Sequence, residues 1–429
     1  MKARFMCVDC GRDFEPGLRL RCECGGLLEV VHEFPWVDRN LFDGRLSQRS
    51  GAYGSGVWRF KELVYPELEV DRIVSRQEGN TNIYAHKRLT EYTGIGKIAA
   101  KHEGENPSGS FKDRGMTVGV SEAVRLGATS VACASTGNTS ASLASFAATT
   151  GMNCVVFIPE GMIAYGKLAQ ALSYGATVLQ VRGDFDAAMW LVQEASAELG
   201  LYLLNSVNPW RIEGQKSIIF ELIQQRGWEP PDWIVLPAGN LGNTSAFGKA
   251  LRELKSQGLI NDVPRLASVQ AEGANPFYSL WAEREESLTP MEPHTVASAI
   301  KIGNPVSWKK AIRSIEETDG VVEQVSDQEI MDAKAVVDRC GIGCEPASAA
   351  SVAGARKLVD VGIIDSGEDV VCILTGNLLK DPGATVNYHT GVIEGVSPRF
   401  SNTPVVVNAD LASVEEALDK LSLMGSRKE

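Results

Sequence analysis

From the Glu78-Gly79-Asn80-Thr81 turn to about residue 380, short apolar runs alternate with longer stretches whose apolar residues recur every three or four positions. That alternation predicts strands joined by amphipathic crossover helices, the pattern of a parallel sheet covered on its faces. Residues 131–134 and 154–158 read as buried strands, and between them a helix over 139–150 closes at Gly151. A helix over 113–126 closing at Gly127 precedes this unit. A helix over 165–174, a strand over 177–181 and a helix capped by Asp184 and running to about Leu199 follow it. Two further runs, 233–237 and 370–374, are strands that each end in a glycine-bearing loop. In sheets of this type function sits at the carboxyl ends of the strands. Residues from about 31 to 75 show little periodicity and are expected to wrap the main body.

Length and composition narrow the class. A chain of 429 residues with 44% hydrophobic residues, 22% charged residues and 42 glycines fits an α/β enzyme of several domains. No apolar run reaches the ~18 residues of a membrane span. The N-terminal Met1-Lys2-Ala3-Arg4-Phe5-Met6 lacks the apolar stretch of a signal peptide, so a cytoplasmic location is expected. A net charge of -12 without a visible basic cluster disfavours nucleic acid as a partner. An anionic substrate then requires a local cationic pocket.

Nine cysteines divide into two groups. Cys133, Cys154, Cys340, Cys344 and Cys372 lie in apolar or core-like stretches and read as buried thiols. Cys7-x2-Cys10 and Cys22-x-Cys24 resemble half of a zinc ribbon, whose four thiolates close a tetrahedral site with no open position for catalysis. The one-residue spacing of the second pair departs from the usual two, so a knuckle that binds no metal stands beside a structural zinc.

The chemistry concentrates in a few loops. In Asn106-Pro107-Ser108-Gly109-Ser110-Phe111-Lys112-Asp113-Arg114-Gly115, small residues surround Lys112, whose amine can anchor pyridoxal phosphate (PLP) as a Schiff base if its pKa is lowered. Pro237-Ala238-Gly239-Asn240-Leu241-Gly242-Asn243-Thr244-Ser245 follows a strand and opens a helix, so its N–H groups can cradle a phosphate, with Thr244 and Ser245 as extra donors. Ser135-Thr136-Gly137-Asn138-Thr139-Ser140 repeats that geometry and suits a substrate carboxylate. Thr375, ending the last core strand, could direct a hydroxyl at a bound ring. Asn205-Ser206 through Arg211 and Lys216 concentrates cations and donors as an anionic substrate tail requires.

Taken in order, and with Glu345-Pro346-Ala347-Ser348-Ala349, these motifs resemble threonine synthase, a family of the tryptophan-synthase-β group of PLP enzymes. The resemblance covers roughly residues 50 to 385 and extends to the cysteine knuckle. It implies PLP fold type II, with two doubly wound parallel-sheet domains beside an N-terminal zinc-ribbon-like knuckle. The implied division is 1–30 for the knuckle, 31–107 with 208–400 for a large PLP-binding domain, 108–207 for a small substrate domain, and 401–429 for a C-terminal extension.

By the same resemblance Lys112 is the catalytic lysine and cofactor anchor. Asn138 meets the cofactor's phenolic oxygen, Gly239, Asn240, Leu241, Gly242 and Asn243 hold its phosphate, and Thr375 meets its ring nitrogen. Ser135, Thr136 and Thr139 bind substrate, with Asn205, Ser206 and Arg211 near its phosphate, and Cys7, Cys10, Cys22 and Cys24 hold the zinc. The implied reaction is O-phospho-L-homoserine plus water to L-threonine plus phosphate, by a homodimer. One position departs from the pattern: Asn377-Leu378 follows Thr375-Gly376, where the family often has histidine-glycine. Phosphoserine β-replacement and threonine or serine dehydration stand as alternatives, and a zinc-ribbon adaptor on an inactive enzyme body is the reading from another class.

Overall fold

The computed structural model describes residues 3–161 and 165–421. Of the expected C-terminal extension, 422–429 lie outside the described residues, as do the first two residues of the N-terminus. Three sheets organise the chain. The N-terminal one is antiparallel, ordered β2-β1-β3, from β1 (Arg4–Cys7), β2 (Asp13–Phe14) and β3 (Leu28–Val31).

Two larger sheets follow, built from β4 (Ile83–Tyr84), β5 (Lys97–His102), β6 (Ser130–Ala134), β7 (Asn153–Pro159), β8 (Thr177–Val181), β9 (Tyr202–Leu203), β10 (Trp233–Pro237), β11 (Arg265–Ala271), β12 (Val321–Val325) and β13 (Asp369–Leu374). The six-stranded sheet runs β12-β11-β10-β13-β5-β4 and is parallel except for its short edge strand β4. The four-stranded sheet, β8-β7-β6-β9, is parallel throughout. All the helices and strands expected between 113 and 199 are present, with Gly127 and Gly151 in left-handed conformations at helix ends and Asp184 capping Phe185–Leu199 through Ala187 N–H.

The apolar runs become interior strands because both of their faces are covered. In β10, Ile234 and Leu236 enter one core while Trp233 and Val235 enter another on the opposite face. In β6, Val131 and Cys133 face one core and Ala132 and Ala134 the other. The poorly periodic segment before residue 75 contributes buried Trp58, Phe60, Leu63 and Tyr65 to the first of these cores, and Tyr65 stacks on Trp210 with ring centroids 4.0 Å apart. Wrapping is therefore how it buries its aromatics without a period of its own.

Strand order reverses between β10 and β13 in the large sheet and between β6 and β9 in the small one. Such reversals open a crevice at the carboxyl ends of the strands. The loops carrying the candidate chemistry are those that border the two crevices. Among the described residues no helix is long and apolar enough to cross a membrane.

Candidate active site

Lys112 opens the helix Lys112–Arg125, and the turn before it is pinned to the end of β13. Phe111 N–H donates to Thr375 O at 3.0 Å, Asn377 N–H donates to Gly109 O at 2.9 Å, and Ser110 bridges Gly376. The lysine and Thr375 are thus held across one short pairing, and the departing residue Asn377 is part of it. Asp113 stiffens the turn by accepting from Ser108 N–H and Ser108 Oγ, both at 2.6 Å, and from Ser142 Oγ at 2.5 Å. Burial raises the pKa of its carboxyl, and those donors oppose the shift.

Two residues on, Arg114 is fully buried between two carboxylates. Its Nε and Nη2 reach Glu103 at 2.6 and 2.7 Å, and Nη2 reaches Glu221 at 2.8 Å. Lys101 and Arg59 complete the cluster on Glu221, at 2.6 and 3.3 Å. The cations hold the Glu221 carboxyl far below its ordinary value in spite of burial. A helix start fixed by paired buried charges cannot shift without breaking them.

Burial lowers the Lys112 pKa to about 7, helped by the positive charge of Arg211 and opposed by Glu345. Near neutral pH its amine is therefore available as a nucleophile and proton carrier. Arg211 comes close because its short helix, Pro209–Gln215, packs backbone to backbone on the lysine helix. A Cβ on Gly214 would stand 1.8 Å from Arg114 O, so only glycine permits this approach. Arg211 is 3% exposed, donates through Nη1 to Leu204 O at 3.3 Å, and leaves Nε buried without a partner. No carboxylate pairs with it among the described residues, and burial lowers its pKa to about 10. A buried guanidinium without a counter-ion is a receptor for an anion.

The 135–139 loop ends β6 and opens the helix Asn138–Thr150. Ser135 Oγ accepts from Gly137 N–H at 3.1 Å, which shapes the turn, and Ser135, Thr136 and Thr139 stay partly exposed. Asn138 Nδ2 donates to both oxygens of Glu345, at 3.0 and 3.1 Å, leaving Asn138 Oδ1 buried and unpartnered. Glu345 was present in the sequence as part of a motif without a role. Its contacts here with Asn138 and its field on Lys112 give it one.

Beyond β10, the 238–241 loop leads into the helix Gly242–Ser256. Leu241 is left-handed at φ 63°, and a Cβ on Gly239 would meet Ile300 Cα at 3.1 Å, so the backbone is folded tightly toward the helix end. Asn240 is fixed by Ser206 Oγ on one side and Val306 N–H on the other, each at 3.3 Å, while Asn243 Oδ1 is buried without a partner. Thr375 Oγ1 lies 3.0 Å from Ser348 Oγ.

Four expectations need correction. Thr244 and Ser245 are not extra donors to the cup: Thr244 Oγ1 pairs with Ser268 Oγ at 2.9 Å, and Ser245 Oγ donates to Leu241 O at 2.7 Å. Local backbone and neighbouring hydroxyls capture short polar side chains before a ligand can. Lys216 does not reach an anionic tail, because its ammonium is buried between Glu213 and Glu253, each at 2.6 Å. Asn205 is committed chiefly to the fold: its Oδ1 accepts from Ala134 N–H and its Nδ2 donates to Ala134 O, both at 2.9 Å, so it braces the end of β6.

Away from this crevice, the sulfurs of Cys7, Cys10, Cys22 and Cys24 lie within 4.8 Å of one another, with closest pairs at 3.5 to 3.6 Å. Thiolates at ~2.3 Å from a tetrahedral zinc stand about 3.8 Å apart, so the donor set fits the ion. The other five cysteines are free, four of them buried, and burial raises their pKa values.

Residues 74–376 match the family described as pyridoxal-phosphate dependent enzyme. The chain is 43% identical over 418 residues to the threonine synthase of Methanocaldococcus jannaschii, covering 97% of this chain and 99% of that one. It is 44% identical to the threonine synthase of Methanosarcina acetivorans, covering 96% and 98%. The crystal structure of threonine synthase from Escherichia coli superposes with a TM-score of 0.69 at 16% identity, over 97% of this chain and all of that one, which supports fold type II. By sequence, fold and the content of its crevice, this chain belongs to the threonine synthase family of PLP-dependent enzymes.

Proposed function

We propose that the chain converts O-phospho-L-homoserine and water to L-threonine and inorganic phosphate, the last step of threonine biosynthesis, as a carbon–oxygen lyase acting on a phosphate ester. The observation that carries this reading is Arg211, a buried guanidinium without a carboxylate partner, close enough to Lys112 to depress its pKa. A second anion site beside the lysine suits a phosphorylated substrate, and a dehydratase has no use for one.

The residues fit PLP. The first N–H groups of the helix starting at Gly242 have no acceptor within it and lie at the cup, and the buried amides of Asn138 and Asn243, whose Oδ1 atoms accept nothing, can flip to present N–H to an anionic oxygen. Lys112 is its anchor, Asn138 lies toward the phenolic oxygen, Gly239, Asn240, Leu241, Gly242 and Asn243 hold the phosphate, and Thr375 meets the ring nitrogen. Bound there, the cofactor supplies an electron sink for negative charge at the substrate carbons.

The chain's own residues do the rest. Ser135, Thr136 and Thr139 orient the substrate carboxylate at the start of the helix Asn138–Thr150. Lys112 Nζ, poised by its near-neutral pKa, takes the Cα proton, then one from Cβ, and returns a proton at Cγ. Arg211, with Ser206 on the segment leading into its helix, stabilises the charge that develops on the departing phosphate. Once the Cγ–O bond has broken and Cγ is protonated, water adds its hydroxyl at Cβ, and the two remaining protons, one held by Lys112 and one from the water, go to Cα and to the released phosphate.

Protection of these steps from stray water motivates a further element: the 108–207 unit, with the four-stranded sheet, closes as a small domain over the large one formed by 31–107 and 208–400. The knuckle, 1–30, takes structural zinc on its four cysteines. The enzyme works in the cytoplasm as a homodimer, without a nucleic-acid or membrane partner.

The test is to supply phosphohomoserine and phosphoserine separately and measure phosphate release and the amino-acid product. Threonine and phosphate from phosphohomoserine alone is the expected result. Replacement products from phosphoserine with sulfite or sulfide, or ammonia from threonine as the main activity, would overturn it.

A further inference from the structure

Between the cysteine knuckle and the helix Trp308–Glu317 lies a polar cleft of about 160 Å³. It is too small for a drug-sized ligand, which needs ~300 Å³ or more. Its knuckle wall carries Asp9 and Arg21, and its helix wall carries Ser307, Lys309 and Lys310. Three cations therefore face one carboxylate, a local excess of two positive charges in a chain of net charge -12. Asp9 is occupied by Lys309 at 2.8 Å, so it neutralises neither of the others.

Three features of the helix wall lack a counterpart. Ser307 precedes the helix but does not cap it, and its Oγ is buried without a hydrogen-bond partner. The first N–H groups of the helix have no acceptor within it and carry its positive dipole end. Lys310, in the first turn, is only 5% exposed, and no ion pair or side-chain hydrogen bond reaches its ammonium among the described residues. The carboxylate that acts on it most strongly, Glu29, is already held by Arg313 at 2.6 Å. Burial pulls the Lys310 pKa down to about 8, with the positive charges of Lys249 and Arg313 adding to the fall and Glu29 and Glu213 opposing it from outside contact range.

We propose that this cleft is a binding site for a small oxyanion of the phosphate class, held by Lys310, Ser307 Oγ and the N–H groups of the helix end. It is separate from the crevice around Lys112, since none of its lining residues is assigned there. It is nevertheless joined to that crevice by backbone. Val306 N–H donates to Asn240 Oδ1 at 3.3 Å, and Ser307 O accepts from Ser245 Oγ at 3.4 Å. An anion seated on Ser307 therefore lies one residue from the loop that holds the cofactor phosphate.

The experiment is calorimetric titration of inorganic phosphate into the full-length, cofactor-loaded protein at constant ionic strength, with chloride as the control anion. Saturable binding is expected in the wild type and in Arg211→Met, where the crevice no longer takes phosphate; in the Arg211→Met background it should weaken at least tenfold on adding Lys310→Met or Ser307→Ala and recover with Lys310→Arg. Turnover without added phosphate should be unchanged in Lys310→Met and Ser307→Ala. Two variants on one site keep the test decisive if either folds poorly. Undiminished binding in both double variants, complete loss in Arg211→Met, or a response matched by chloride would overturn the proposal. Because binding is read without turnover, a different substrate for the enzyme would leave the outcome untouched.

Discussion

Asn138 Nδ2 is shared between the two carboxylate oxygens of Glu345, at 3.0 and 3.1 Å, so the residue that opens the helix after β6 is oriented by one whose own N–H is tied to Gly376 O just beyond β13. The same carboxylate raises the Lys112 pKa against burial and Arg211. In Glu345→Gln the lysine loses the carboxylate that opposes burial and Arg211, and its pKa must fall. The low-pH limb of the activity profile should therefore move to lower pH. Loss of a charge-assisted hydrogen bond to Asn138 should cost roughly tenfold in kcat. A pH series of initial rates checks both; an unmoved limb would separate Glu345 from the lysine.

Lys112→Ala should lower turnover by ~10²-fold or more. It should also abolish covalent retention of the cofactor, read by mass spectrometry after borohydride reduction. The cofactor-free wild type carries a stability signature as well. The folded pKa of Lys112 is about 7 and its unfolded value ~10.4, so between them the unfolded state binds more protons. The penalty of charging this lysine is fully present below pH 7 and fades as pH rises toward 10. Denaturation of the cofactor-free protein across that range should show a positive slope that Lys112→Met lacks.

Arg211→Met removes a buried charge that has no partner, so stability should be unchanged or improved. The effect belongs in substrate binding: KM for the phosphorylated substrate should rise about 10- to 100-fold. A parallel rise in KM with a dephosphorylated analogue would argue against phosphate recognition by this residue.

Arg114 differs in being fully paired. Arg114→Met leaves Glu103 and Glu221 buried without their main counter-ion, and the cost should be about 3–5 kcal/mol. Chemical denaturation measures it.

Cys24→Ser should eliminate a bound zinc, about one per chain in the parent, measured by plasma mass spectrometry, and lower the thermal midpoint. Borohydride trapping of the cofactor on Lys112 should persist. Equal metal content in the two proteins would remove the knuckle as the site.

Much of the catalytic crevice was legible along the chain because glycine-bearing loops placed after apolar runs announce strand ends, and two loops of that kind, at 135 and 239, could be set beside Lys112. What a donor count could not reveal was competition. Thr244, Ser245 and Asn205 look free in one dimension, and each is engaged by a hydroxyl or a backbone group that folding brings near. The partners of Arg114 and Asn138 were equally hidden, since Glu221 and Glu345 stand more than a hundred positions away and no local spacing points to them. The aromatic wrap before residue 75 lacked a period because it packs through isolated large side chains rather than a repeating face.

The brace from Asn205 to Ala134 reaches further than support for one strand. It joins the loop proposed to hold the substrate carboxylate to the segment leading into Arg211, proposed to hold its phosphate. When the 108–207 unit closes as proposed, the two jaws come to one opening, like a caliper, and the molecule that fits is chosen by its length. Homoserine and serine phosphates differ by one methylene, a difference that a rigid gauge registers and a loose one does not.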